Sequence, residues 1–99
     1  MPGNKIRWYL TARKQFGAII DYVAADSVQN ADHLQDRLKK KLDKIAEYPE
    51  MCPKDKYKIH NDGSFRAFTL FHYRVSYRFY GTEIRVLRIR HTSMKPKYF

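Results

Sequence analysis

The 99-residue chain is poor in acid: ten Asp and Glu stand against twenty Lys and Arg, a formal net charge of +10. No two carboxylates are placed as an acid/base pair, and His33, His60 and His72 do not fall at metal-ligand spacing with Cys or carboxylates. Neither paired-carboxylate hydrolysis nor a protein-bound metal is therefore expected, and no cofactor either. Cysteine is down to one, Cys52, in the Pro49-Glu50-Met51-Cys52-Pro53 turn. That excludes an intramolecular disulfide, favours a reducing, cytoplasmic setting and makes Cys52 a loop residue rather than a nucleophile. With only four glycines there is no Gly-rich phosphate loop, and no low-complexity stretch or internal repeat breaks the chain. No run approaches the roughly 18–20 apolar residues of a membrane span, and no secretory leader precedes Ile6. What the chain has in quantity is apolar and aromatic residues, 43% and 15%. That is enough for one core in one domain spanning residues 1–99, in spite of a mean hydropathy of -0.69.

Ile6, Trp8 and Leu10 alternate with Arg7 and Tyr9, the period-two pattern of a strand. Thr11 is a candidate cap for a first helix, in which Phe16, Ile19, Ile20 and Val23 share a face and which ends near Asp26-Ser27. Asn30 is a candidate cap for a second helix, with Leu34, Leu38, Leu42 and Ile45 on one stripe and Pro49 beyond its last turn. The segment from Lys54 to Gly63 reads as a polar loop, with room for a short strand at 56–60 and a turn at Asn61-Asp62-Gly63. Strands are expected at 64–71, 73–80 and 84–91. In the second of these Tyr73, Val75, Tyr77 and Phe79 face one way, and Arg74, Ser76, Arg78 and Tyr80 the other. In the third the apolar phase slips from even to odd, which a bulge near Val86-Leu87 or burial of both faces explains. The expected fold class is α+β: an N-terminal strand, a two-helix hairpin, then a three- to four-stranded antiparallel sheet with one helical side and one open side. Function is expected on the open side.

Charge is divided unevenly. Residues 1–50 carry nine basic and seven acidic groups, and residues 51–99 carry eleven and three, so the excess lies on the strand-rich half. Like charges on neighbouring strands repel, so their accumulation points to a polyanionic partner. Lys56, Lys58, Arg66, Arg78, Arg88, Arg90 and Lys95 are candidates for gripping phosphates, since a guanidinium is a planar fork that holds a phosphate in two places. Tyr57, Phe68, Tyr73, Tyr80 and Tyr98 interleave with them; most are expected in the core, and the rest are available to stack on unpaired bases. His91, at the end of a basic strand, is the candidate for proton transfer, and Arg74 the candidate for stabilising charge on a scissile phosphate. Cations plus one acid or base suffice to cleave an RNA phosphodiester through its own 2′-hydroxyl, a reaction these residues permit without requiring it.

The order of elements, the Tyr73-Arg74-Val75-Ser76-Tyr77-Arg78 strand and the final Ile84-Arg85-Val86-Leu87-Arg88-Ile89-Arg90-His91 strand resemble the RelE/ParE superfamily of type II toxins. Ser64-Phe65-Arg66-Ala67-Phe68 and Arg88-Ile89-Arg90-His91-Thr92-Ser93 look closest to the ParE-like branch. The resemblance implies a growth-inhibiting toxin held inactive by a cognate antitoxin, in a hetero-oligomer that covers the hairpin or the basic sheet. It also implies one of two targets. RelE-like members cleave mRNA on the ribosome, with Arg74 matching a catalytic arginine and His91 the nearest match to a C-terminal catalytic histidine. ParE-like members inhibit DNA gyrase without a nuclease site. The basic half tilts the sequence reading toward ribosome and mRNA, with gyrase inhibition as the alternative and a non-toxic nucleic-acid-binding module as a third.

Overall fold

The computed structural model describes residues 4–99. The chain runs β1 (Lys5–Trp8), α1 (Leu10–Asp26), α2 (Val28–Glu47), β2 (Phe65–Leu70), β3 (Tyr73–Tyr80) and β4 (Glu83–His91). The strands form one sheet in the order β1-β4-β3-β2. The three C-terminal strands are an antiparallel meander, as their spacing predicts, but β1 lies parallel to β4, with Ile6 opposite Ile84 and Trp8 opposite Val86. The sheet is therefore mixed. The reason is the helical hairpin, which carries the chain across one face before it re-enters the sheet, as a parallel connection requires.

Both helix starts differ from expectation. Tyr9, not Thr11, begins α1: its N–H donates to Val86 O at 3.0 Å, ending the strand, and its carbonyl accepts from Arg13 N at 3.0 Å, opening the helix. With the backbone already committed, no side-chain cap is made. Ser27, not Asn30, caps α2: its Oγ accepts from Asn30 N at 3.1 Å, while its own N–H donates to Val23 O at 2.8 Å. One residue thus closes one helix and opens the next, which forces a tight hairpin.

α2 is the anchor of the core. Leu34, Leu38, Leu42 and Ile45 are all buried, and each such side chain is worth roughly 1.5–3 kcal/mol on burial. α1 buries only Ala12 completely, with Phe16 and Ile19 packed at the margin. Val75, Tyr77, Ile84, Val86 and Ile89 supply the sheet side. The phase slip in β4 is a bulge: Ser76 pairs with Arg88 and Tyr77 with Val86, leaving Leu87 as the extra residue and turning Val86 and Ile89 to the same face. Gly81, at φ 60, makes the β3–β4 turn that a Cβ would strain.

Tyr77 is fully buried, and its hydroxyl donates to Pro49 O at 2.8 Å. Burial pushes its phenol far above the ordinary 10.0. A proton that the folded state holds and the unfolded state releases stabilises the fold below about pH 10 and is lost above it. Tyr77→Phe should cost about 1 kcal/mol at neutral pH, from the lost hydrogen bond. Its urea-unfolding midpoint should then fall less steeply than wild type above pH 10.

The sheet face opposite the helices is not open, contrary to expectation. The segment after α2 first pairs along the free edge of β2, with Asp55 N donating to Phe65 O at 2.8 Å and Ala67 N donating to Pro53 O at 3.1 Å, and then folds over the face, where Asp55 meets Arg74 and the Tyr57 ring meets Arg74 and Arg90. The C-terminal residues clasp that segment: Ile59 N donates to Phe99 O at 2.7 Å and Phe99 N to Tyr57 O at 3.0 Å. No strand forms at 56–60; the nearest feature is an isolated bridge between Lys54 and Arg66.

Candidate functional site

Alternation along β3 and β4 turns Arg74, Arg78, Arg88 and Arg90 to the clasped face, where each guanidinium meets an aromatic ring. Tyr80 is shared by Arg85 and Arg78 at 4.6 and 4.7 Å, and Phe65 by Arg78 and Lys58 at 4.6 and 4.7 Å. Phe99 takes Arg88 at 4.0 Å and Lys58 at 5.5 Å; Tyr57 takes Arg74 at 4.9 Å, Lys56 at 5.3 Å and Arg90 at 5.4 Å. Such pairs contribute about 0.5–1 kcal/mol each at exposed sites. They also occupy ring faces that a nucleobase would need. Phe68 belongs to the core, while Tyr98 is exposed and meets Tyr57 edge-on at 5.5 Å.

The candidate phosphate-gripping residues are committed to different degrees. Arg66 is tied down, donating from Nε to Gly63 O at 2.9 Å and from Nη1 to Cys52 O at 3.0 Å. Arg78 donates to Ser64 Oγ at 3.0 Å and stands 3.8 Å from Asp62, whose carboxyl two Ser64 hydrogen bonds hold below its ordinary value. Arg90 donates to Met94 O, Arg88 to Lys97 O and Lys58 to Ile59 O. Burial lowers the Arg88 pKa; the charges of Arg90 and Arg74 add to that effect, and Asp55 opposes it. Lys56 and Lys95 are exposed.

The two candidate catalytic residues are not brought together. Arg74 pairs across the strands with Arg90, whereas His91 pairs with Tyr73, so the two lie on opposite faces of the sheet. Arg74 donates from Nη2 to Asp55 Oδ1 at 2.9 Å, in a pair whose side chains are 16% and 1% exposed. His91 stacks against His72 at 5.9 Å and meets Tyr73 edge-on at 5.3 Å. Its Nδ1 lies 3.0 Å from Ser93 N, which donates to it.

Sequence reasoning passed over Asp55. The signal was present: a solitary carboxylate between Lys54 and Lys56, just ahead of the strands that bear the arginines. Two open grooves flank the helices. One, of about 580 Å³, has Ile6, Trp8, Phe16, Leu38 and Leu42 at its base and Asp32, Asp36 and Asp43 on its rim. It borders β1, an edge strand. The other, of about 570 Å³, lies between Ile19 and Tyr22 of α1 and Tyr73, Ile89 and His91 of the sheet. Among the described residues no group of His, Cys, Asp or Glu is placed to hold a metal ion, and no helix is long and apolar enough to cross a membrane.

A two-helix hairpin laid on one face of a β1-β4-β3-β2 mixed sheet is the α+β fold of RelE/ParE-like toxins. The chromosomal ParDE toxin-antitoxin system from P. aeruginosa superposes on it with a TM-score of 0.70 at 19% identity, over 94% of this chain and 100% of that one. The toxin-antitoxin complex RelBE2 from Mycobacterium tuberculosis does so with a TM-score of 0.56 at 19% identity, over 92% of this chain and 93% of that one. No curated protein matches the sequence at a significant level. Residues 6–96 match the model of the ParE toxin of the type II toxin-antitoxin system parDE, and the chain belongs to that family.

Proposed function

We propose that this toxin is held inactive in the cytoplasm by a cognate antitoxin, and that when free it stops growth as a non-enzymatic inhibitor of DNA gyrase. The observation that carries the choice of target is the placement of Arg74 and His91 on opposite faces of the sheet. A phosphodiester on either face would meet only one of them. Arg74 is also engaged elsewhere, by Asp55. General acid/base work needs a group within hydrogen-bond reach of the proton it moves, and electrostatic stabilisation needs a cation not already neutralised.

The test expresses the chain alone in bacteria, following mRNA by primer extension and plasmid topology by gel. Expected are arrested growth, intact mRNA, and altered supercoiling or gyrase-dependent DNA breaks, with His91→Ala as toxic as wild type. Cleavage within translated codons that His91→Ala lowers by on the order of 100-fold would instead establish the ribosome-dependent nuclease. Unimpaired growth with folded protein would leave only a basic binding module.

A further inference from the structure

Beneath the clasp, charge and hydrogen bonding are out of balance. Arg74 and Arg90 are direct cross-strand partners and share the Tyr57 ring, and Arg88 lies two residues along β4 on the same face, its guanidinium 4.0 Å from the Phe99 ring. Three guanidiniums thus face one buried carboxylate, Asp55, which reaches only Arg74 within ion-pair distance. Among the described residues, Arg88 and Arg90 have no carboxylate partner within 4.0 Å. Among the described residues, the two buried side-chain polar atoms left without a hydrogen bond are Asp55 Oδ2 and Arg88 Nε. An orphaned buried group carries its desolvation cost without return, so a donor brought to Asp55 Oδ2 or an acceptor brought to Arg88 Nε would be favoured there.

We propose that Arg74, Arg88 and Arg90 form an occluded oxyanion site for a ligand of phosphate chemistry, and that Asp55 plugs it from within. A phosphate group carries more charge and more acceptor oxygens than the carboxylate in that place, and fits the forks of neighbouring guanidiniums. Admitting it means displacing the Asp55–Tyr57 segment. That segment is held by the Asp55 N–Phe65 O and Asn61 Nδ2–Asp55 O hydrogen bonds, the Phe99 backbone pair, the Tyr57–Arg contacts and one ion pair, of which only the ion pair and the Tyr57–Arg contacts need yield for the carboxylate to swing out.

Asp55→Asn keeps the shape and the acceptor for Tyr57 N, which bonds Oδ1 at 3.0 Å, but removes the competing charge. Inorganic pyrophosphate should bind this variant at least about tenfold tighter than wild type by calorimetry, the scale of one charge-assisted hydrogen bond gained. Arg88→Gln should abolish the gain, and Arg7→Gln, exposed on β1, should leave it intact. An eight-nucleotide single-stranded oligothymidylate distinguishes sources: tightening for both probes marks a site open to a phosphate backbone, and for pyrophosphate alone a site for small phosphates. If Asp55→Asn is unfolded, refolding by pyrophosphate but not by chloride at equal ionic strength supports the site. Phe99→Ala, which loosens the clasp, should raise wild-type pyrophosphate affinity in the same direction. A folded Asp55→Asn that binds neither probe better than wild type overturns the proposal. So does an Asp55→Asn that pyrophosphate cannot refold, together with an unchanged Phe99→Ala.

Discussion

Asp55→Ala should lower the stability of the free toxin by about 3–5 kcal/mol, the largest loss expected from any single side chain on the outer face. The Arg74 side chain is only 16% exposed, and among the described residues Asp55 is its one carboxylate partner. Removing the carboxylate leaves a buried cation beside Arg90, with Arg88 near. The same change removes the acceptor for Tyr57 N, so the segment carrying the Tyr57 ring is released as well. For a chain of this size the loss corresponds to a fall in Tm on the order of 15 °C or more, read by thermal melting and checked by urea unfolding. Replacing the partner too should reverse most of it: Asp55→Ala with Arg74→Leu should recover more than half, because apolar replacement of a buried pair is often neutral or stabilising. A loss below about 0.5 kcal/mol for Asp55→Ala would show that water already reaches the pair.

How much of this was legible in the sequence depended on whether the signal was local. The stripe Leu34, Leu38, Leu42 and Ile45 and the alternation of Tyr73, Val75 and Tyr77 are periodicities within one element, and both came through, as did the bulge beside Leu87. The caps failed because capping is decided by neighbours. Thr11 lost its role to a Tyr9 backbone already bonded to Val86, and Asn30 to a Ser27 that must serve two helices at once. The parallel entry of β1 and the covering of the outer face rest on contacts between separate elements of the chain, such as Lys5 with Thr82 and Ile59 with Phe99. Alternation correctly put Arg74 on the outer face. It did not set His91 beside it, because the bulge at Leu87 shifts the phase of everything after it, and only the register shows Arg90 rather than His91 opposite Arg74.

Trp8→Ala should leave a folded, toxic protein that its antitoxin no longer neutralises, with affinity for the antitoxin falling by about 30-fold or more. Leu34, Leu38 and Leu42 are buried in the free toxin, so a partner cannot gain much from covering them directly. What the free toxin offers is the groove over Ile6, Trp8 and Phe16, bordered by the open edge of β1. The amides of Lys5 and Tyr9 donate into the sheet, to Thr82 O and Val86 O, and alternation turns those of Ile6 and Trp8 outward. An extended antitoxin segment could complete that edge and set apolar side chains beside the Trp8 ring, which is held 5.4 Å from Phe16. Lys5 and Arg7 favour acidic residues on the opposite side of such a segment and discourage pairing with a second copy of β1. Tyr22→Ala, in the other groove and 77% exposed, is the comparison variant and should be neutralised as well as wild type. Hydrogen exchange on the complex should show new protection at the Ile6 and Trp8 amides. If Trp8→Ala is neutralised normally and β1 gains no protection, the antitoxin sits elsewhere, and a response to Tyr22→Ala would place it between α1 and the Tyr73–His91 side of the sheet.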